Sequence, residues 1–431
     1  MKKIIASVLL ASVVYNGYAQ QAANELRNLV NNSFTYNPRF RELEQAVQIN
    51  EQRAELAALG NKPNVSASGS YAYVAPAPTI PFPDGNGGTK EFKLTPNHNV
   101  STAVTGAIPI YDFGRTKLAI ERARLDVQQA KNNVEYNKAQ LAAQVANVYY
   151  TIIYLRKAIG VQDSVIAVLQ ENKRVQEDKY KNGDALKLDV LTMQNNIDIE
   201  QNRKIDLQNQ LAKQYNLLQY ATGQTSVANA ASFDFLSNIN DTATALRAAQ
   251  QANYDYLIAQ QRIRQAEADV AISKLANKPS LNVNGSTGFR NGFQPNIGQF
   301  LFNYSLGVGV SVPLFTGGRD KKQTQIAQSV VKQNELALES LNNQYSRDIK
   351  QAFVDVQTNQ ERLRTTAEQI SIAQEALRVA QSRYKNGIST NIELLNANTN
   401  LQRVELAQLQ YQYQLALAQI ELARLTGARY W

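Results

Sequence analysis

The stretch from Phe300 to Val312 reads FLFNYSLGVGVSV, and its alternation decides the fold. The even positions are Phe300, Phe302, Tyr304, Leu306, Val308, Val310 and Val312. The odd positions are Leu301, Asn303, Ser305, Gly307, Gly309 and Ser311. A period of two, with one apolar face and one mostly small or polar face, is the pattern of a β-strand between unlike environments. A run of about ten such residues is the span of a tilted membrane strand. Three other runs share the period. Val65, Ala67, Gly69, Tyr71 and Tyr73 alternate with Ser66, Ser68 and Ser70; Leu281, Val283, Gly285, Thr287 and Phe289 face away from Asn282, Asn284 and Ser286. Val100, Thr102, Val104, Gly106 and Ile108 repeat it more weakly. Tyr71, Tyr73, Phe289, Phe300 and Phe302 lie near strand ends, as an interfacial aromatic girdle requires. A soluble hairpin with one buried face shares this alternation and is the competing reading.

Outward from these runs, the chain is written twice. Asn61-Lys62-Pro63 recurs 216 residues later as Asn277-Lys278-Pro279. Ile108-Pro109-Ile110-Tyr111 with Gly114-Arg115 recurs 204 residues later as Val312-Pro313-Leu314-Phe315 with Gly318-Arg319. The offset of 204 also relates Lys179-Tyr180-Lys181-Asn182-Gly183 to Arg383-Tyr384-Lys385-Asn386-Gly387, and Thr222-Gly223 to Thr426-Gly427. Four matches in one order are a duplication. The change of offset puts twelve extra residues into the first half, in the stretch from Ala75 to Pro96. Its Pro76, Pro78, Pro81, Pro83 and Asp84-Gly85-Asn86-Gly87-Gly88 cannot continue a strand. The counterpart, Arg290 to Gly298, is shorter. Long loops on one side of a barrel are typically extracellular.

Each half reads helix, two strands, long helix, turn, helix. Between the strand-ending Pro109 and the turn at Gly183 no proline occurs, and only Gly114 and Gly160 interrupt the run. At 1.5 Å per residue such a helix reaches on the order of 100 Å. Ile120, Val127, Val134, Leu141, Val148 and Leu155 repeat every seventh residue, as do Ile349, Val356, Leu363, Ile370, Leu377 and Tyr384. A sustained heptad means coiled-coil packing against neighbouring helices. Gln, Asn, Lys and Glu crowd the remaining faces, which therefore meet water.

Length alone, at 431 residues, suggests two or more domains. Lys2 and Lys3, the apolar run from Ile4 to Val14 and Gly17-Tyr18-Ala19 read as a secretory signal peptide over 1–19. The first repeat is then 20–223, with strands near 64–74 and 98–109 and a helical tip near 183. A linker at 224–240 leads to the second repeat, 241–431, with strands near 280–289 and 300–313 and a tip near 387. The chain has no cysteine, which excludes disulfides, thiolate metal sites and lipid on an N-terminal Cys. The formal charge of +9 falls to +7 without Lys2 and Lys3. Its basic residues are scattered among Glu and Asp, so they form a solvated face and no nucleic-acid partner is expected. No apolar stretch after the leader approaches the ~20 residues of a membrane helix. His98 is the only histidine. It reads as structural or exposed, and no metal cluster, nucleophile elbow or phosphate-binding loop accompanies it. The expectation is a non-enzyme without cofactors.

Four membrane strands cannot close a barrel alone, and an open sheet edge in lipid is excluded. The chain must therefore oligomerise. Two copies give eight strands around a filled interior; three give twelve, wide enough for a water-filled lumen. Helices continuing from the strands would form a cylinder of the same symmetry. The duplicated strand pair, Ile-Pro-Ile-Tyr-Asp-Phe-Gly-Arg (108 to 115), its partner Val-Pro-Leu-Phe-Thr-Gly-Gly-Arg (312 to 319), the twin Tyr-Lys-Asn-Gly turns and the closing Leu425-Thr426-Gly427 resemble the TolC family of outer-membrane efflux proteins. The resemblance covers the mature chain nearly end to end. It implies a mainly α fold with a membrane β-barrel segment: a homotrimer closing a twelve-stranded barrel on an α-helical coiled-coil tunnel. It also implies the outer membrane of a Gram-negative cell, contact with outer-membrane lipid, and docking to a periplasmic adaptor and an inner-membrane pump.

In that family the stretch after the second turn lines the tunnel entrance with carboxylates. Carried onto this chain, the positions are Glu393 and Asn396; Asn396 stands where the family often has Asp, so one carboxylate ring is implied where relatives have two. Asp189 is the equivalent in the first half and a candidate for a closing contact between hairpins, although an acid at a helix start is also favoured by the macrodipole. Ser389 and Thr390 offer only hydroxyls where some relatives supply Arg. Tyr180, Gly183, Tyr384 and Gly387 are the candidates for adaptor docking, with plain turn formation as the simpler role for the glycines. The function expected is an exit duct for small molecules or proteins. The alternative is a periplasmic coiled-coil scaffold or adaptor that never enters the membrane.

Overall fold

The computed structural model describes residues 21–22, 24–83, 85, 88–225, 233, 235–236 and 241–431. The signal peptide expected at 1–19 lies outside these residues, as does most of the linker at 224–240. The first half runs β1 (Gln21–Ala22), α1 (Asn24–Tyr36), α2 (Pro38–Ala58), β2 (Asn64–Tyr73), β3 (Thr79–Pro83), β4 (Thr89–Lys93), β5 (His98–Tyr111), α3 (Arg115–Lys181) and α4 (Lys187–Thr222). The second half runs β6 (Phe235–Leu236), α5 (Thr242–Ala252), α6 (Tyr254–Lys274), β7 (Ser280–Arg290), β8 (Leu301–Ser311), α7 (Arg319–Lys385) and α8 (Asn391–Thr426). The described residues form two compact units, one of those up to 44 with those in 131–260 and 337–431, the other of those in 45–130 and 261–336.

The first unit is helical. Leu26, Leu29 and Val30 of α1 pack against the Ala142–Ile153 stretch of α3, Leu218 and Ala221 of α4, and Ala416, Ile420 and Ala423 of α8. A second cluster joins Ala245 and Ala249 of α5 to Tyr345, Ile349 and Ala352 of α7 and Leu422 and Leu425 of α8. Frequent alanine lets the helices approach, and each large apolar side chain taken from water contributes about 1.5–3 kcal/mol. The heptad seams lie inward: Val134, Val148, Leu155 and Ile349 are buried, and the other seam positions in this unit are half-buried. Gly160 does not interrupt α3. One internal Gly costs only about 1 kcal/mol relative to Ala, and buried Leu155 and Val165 anchor the helix on either side.

The single leading helix expected in each half is two helices. α1 stops before Pro38, which opens α2, and α5 stops before Asn253, ahead of α6. Proline fits a helix's first turn but not its interior. The two breaks share an Asn: Asn37 Oδ1 accepts from the Arg39 N–H at 3.0 Å, and Asn253 Oδ1 accepts from the Asp255 N–H at 2.8 Å.

The second unit holds a four-stranded antiparallel sheet in the order β2-β5-β7-β8. Pro109 does not end its strand. β5 continues to Tyr111 through an irregularity in the register between Pro109 and Tyr111. Pairing with β2 stops at Ala107, so Pro109 has a neighbour on one side only, an edge position where a missing N–H costs nothing. The Pro-rich loop also holds a strand pair that the prolines hid: β3 and β4 pair with Ile80 opposite Phe92 and Phe82 opposite Lys90. Pro81 and Pro83 share one parity, so their missing donors fall on the outer side of a two-stranded ribbon. Phe82 and Phe92 meet edge to face at 6.3 Å.

Strand passes to helix through Asp112-Phe113-Gly114-Arg115. The Asp112 carboxylate accepts from the backbone N–H groups of Gly114 (2.9 Å) and Thr116 (2.7 Å). Partial burial pushes its pKa up, but hydrogen bonds from Thr116 and Gly114 and the neighbouring Arg115 outweigh this and hold it below the usual carboxylate value. Arg115 reaches across to the turn after α6 and donates to the carbonyls of Leu275 (2.9 Å), Ala276 (3.3 Å) and Lys278.

Candidate channel wall and entrance

The register sorts the sheet's side chains into two surfaces. Val283 lies opposite Val308, Gly285 opposite Leu306, Thr287 opposite Tyr304 and Phe289 opposite Phe302. Through β5 and β2 the same surface continues with Thr102, Val104, Gly106 and Ile108, then Val65, Ala67, Gly69, Tyr71 and Tyr73. Its large side chains are bare in the single chain: Leu306 is 82% exposed, Tyr304 79% and Val308 68%. A contiguous apolar surface of this extent does not stay in water. The other surface carries Asn and Ser with small residues. Hydroxyl pairs cross its strands: Ser66 with Thr105 at 2.9 Å, Ser70 with Ser101 at 2.8 Å and Ser286 with Ser305 at 2.9 Å. One apolar face and one hydroxyl-lined face is the pattern of a membrane β-sheet.

Aromatic groups mark both ends of the apolar surface. At the loop end Tyr71 and Tyr73 flank His98, whose Nδ1 is 2.9 Å from the Tyr71 hydroxyl, and Phe289 meets Phe302 at 5.5 Å. At the helix end Tyr111 packs on Phe113 at 4.8 Å, and Leu314 and Phe315 are 92% and 90% exposed. This second belt was not read from the sequence. Its signal was the duplicated pair Ile110-Tyr111 and Leu314-Phe315, taken only as a landmark. The scaffold alternative, which keeps this surface in water, is not favoured.

The twin turns adopt one geometry in the helical unit. Gly183, at φ +86°, donates to the Tyr180 carbonyl at 3.1 Å, and the Asp184 N–H reaches the Lys179 carbonyl at 2.8 Å. Gly387, at φ +72°, donates to the Tyr384 carbonyl at 3.1 Å, and the Ile388 N–H reaches the Arg383 carbonyl at 2.9 Å. Both are Schellman caps, whose left-handed position favours glycine. The tyrosines differ. Tyr180 is exposed, whereas Tyr384 is half-buried: its hydroxyl accepts from Gln176 Nε2 at 2.5 Å and its ring lies 4.3 Å from Lys179 Nζ.

Asp189 sits in the first turn of α4, where its carboxylate accepts from the Leu186 N–H at 3.1 Å. Glu393 sits in the first turn of α8; its Oε2 accepts from the Ser389 hydroxyl at 2.7 Å, and its N–H donates to Thr390 Oγ1 at 3.3 Å. Glu393 and Asn396 are exposed and Asp189 is half-exposed. Asp189 and Glu393 are thus held by their own helix starts, with carboxylates beside positive helix ends.

The sequence matches the outer membrane efflux protein family over residues 29–224 and 245–428. The outer membrane efflux protein BepC of Brucella suis is 21% identical over 366 residues, covering 78% of this chain and 76% of that protein. Outer membrane protein TolC of Vibrio cholerae is 21% identical over 316 residues, 71% of this chain and 72% of its own. Among solved structures, the outer membrane protein VceC of Vibrio cholerae superposes with a TM-score of 0.76 at 17% identity, over 94% of this chain and 97% of that one. The fold is therefore that of an outer-membrane channel. Two family segments, one per half, span most of the sequence, and the chain belongs to the outer membrane efflux protein family.

Proposed function

We propose that this outer-membrane efflux channel works as a homotrimer in which three four-stranded sheets close a twelve-stranded barrel and the helices of the three copies form an α-helical tunnel. The carrying observation is the pair of free edges, β2 and β8, on a sheet whose apolar surface requires lipid. Each unpaired backbone group in lipid costs several kcal/mol, so the edges must find partners. The wall between the strand ends presents Ser, Thr, Asn and small residues, with no fixed charge to select cargo. Selection then falls to an inner-membrane pump, reached through a periplasmic adaptor that docks on the Gly183 and Gly387 caps. Tyr384, committed to α3, contributes little to that docking surface.

Glu393 is the proposed entrance carboxylate, with Asn396 one turn on and Asp189 at the matching helix start. The test is single-channel conductance of the detergent-extracted protein in a planar bilayer, for wild type and Glu393→Ala. Discrete channels whose cation preference falls in the variant are expected. Channels identical in both proteins would remove Glu393 from the entrance and leave the duct standing. Protein that stays in solution without detergent and forms no channels would overturn the duct.

A further inference from the structure

Arg290 is the only charged residue on the four strands of the sheet; β2, β5 and β8 carry none. It is the last residue of β7, at the loop end. The register decides which surface carries it. Arg290 lies opposite Ser101 of β5 and Leu301 of β8, so it shares the parity of Ser286 and Asn303 and stands on the polar surface. A basic side chain on a lipid-facing surface would be costly, and here Phe289 takes that side. The copy of Arg290 at the offset of 216 is Val74, so the duplication does not account for the charge.

The loop after β7 fixes where the side chain lies. The Asn291 N–H donates to the Val100 carbonyl at 3.3 Å, and Asn291 Oδ1 accepts from the Val100 N–H at 2.9 Å. The Gly292 N–H closes the turn onto the Ile297 carbonyl at 2.8 Å. Within that turn the half-buried Phe293 sets its ring 4.6 Å from the Arg290 guanidinium. An aromatic face restrains a guanidinium but takes none of its N–H donors in the ring plane. On the helices an arginine is often answered by an acid three residues away, as Arg174 and Arg378 are. No Asp or Glu lies on the sheet. Arg290 is exposed and has no carboxylate partner among the described residues.

We propose that Arg290 forms a cationic ring inside the outer mouth of the barrel, one guanidinium per copy, that favours anions and binds polyphosphorylated solutes. This rests on the closed barrel proposed above, which turns the polar surface toward the lumen. Rings of Arg or Lys favour anions in pores, and the planar guanidinium meets phosphate through paired N–H donors. The strands are otherwise uncharged, so nothing along the wall offsets the field. Charge is screened within about 8 Å at physiological salt. A chloride on the pore axis is therefore held weakly, whereas a polyanion sets phosphates against more than one guanidinium.

The test is block of single channels of the detergent-extracted full chain in a planar bilayer by inositol hexakisphosphate, added to one chamber at a time. Wild-type channels should be blocked from one chamber only, and less strongly as salt is raised. In Arg290→Gln the half-blocking concentration should rise about tenfold or more, the worth of a hydrogen bond between charged groups. Arg290→Lys should keep part of the block. The chain has no cysteine, so Arg290→Cys lets the charge be set after assembly. A cationic methanethiosulfonate added to open Arg290→Cys channels should restore the one-sided block, and an anionic one should not. Equal block of wild type and Arg290→Gln, or no block of wild type, would overturn the ring, with discrete channels leaving the duct intact. A thiol at 290 that the reagents never reach would place the residue off the lumen and overturn it too. Absence of channels from wild type would overturn the barrel on which the ring rests.

Discussion

Among single residues, Asp112 shows how much a short motif can hold that reading alone does not reveal. Asp-Phe-Gly-Arg is legible as one half of a repeat, yet nothing local says that Arg115 binds carbonyls 160 residues away. Asp112 itself is more readable, since an acid before a helix satisfies its free N–H groups. Asp112→Ala should destabilise the first turn of α3 by about 1 kcal/mol, seen as faster hydrogen exchange at Thr116. The sign of the pH dependence follows from the lowered pKa. The ionised form is favoured in the folded chain, so the contribution is complete above the unfolded value near 3.9 and lost as pH falls below it. Exchange at Thr116, corrected for its intrinsic rate, should therefore rise on acidification in wild type and stay flat in Asp112→Ala. Equal acid sensitivity in both proteins would remove Asp112 as the cause. The residues proposed for the entrance were legible as a family pattern only. That Glu393 is held by the Ser389 hydroxyl depends on side-chain geometry, which spacing does not encode.

Strands and helices were the most legible elements, because a period of two and a heptad each impose a face. The misses share a cause, in that each is a place where the partner strand or cap decides the outcome. Pro109 stays in β5 because β2 has already ended there, and β3 and β4 form because both prolines lie on the unpaired side. Tight packing between strands is likewise invisible in sequence. A Cβ on Gly288 would lie 1.9 Å from the Thr102 carbonyl oxygen, whereas one on Gly285 would meet nothing nearer than 3.6 Å. Gly288→Ala should therefore force β7 from β5 and reduce the yield of assembled, detergent-extracted protein. Gly285→Ala should leave the yield unchanged. Equal yields for the two variants would mean that the sheet relaxes around the added methyl at no cost.

Across the whole molecule, the duplication was legible because its landmarks keep their order, and the closed pore was inferred because four strands in lipid demand partners. What the sequence left open was which differences between the halves matter to the pore. The largest is the twelve-residue excess, now placed in and around the β3–β4 hairpin. That hairpin pairs within itself, and Asn97 ties its base to the sheet: the Val74 N–H donates to the Asn97 carbonyl at 2.8 Å, and Asn97 Nδ2 donates to the Val74 carbonyl at 3.0 Å. The second half joins β7 to β8 without such an insertion and keeps the same strand register on the apolar surface. Loop length in itself adds little, since doubling a flexible loop costs only about 0.6 kcal/mol. Replacing residues 77–95 by a short Gly-Ser turn, with Val74 and Asn97 retained, should therefore give channels of wild-type assembly and conductance in a planar bilayer. A changed conductance would place the hairpin over the mouth of the pore, and failure to assemble would make it part of the joint between copies.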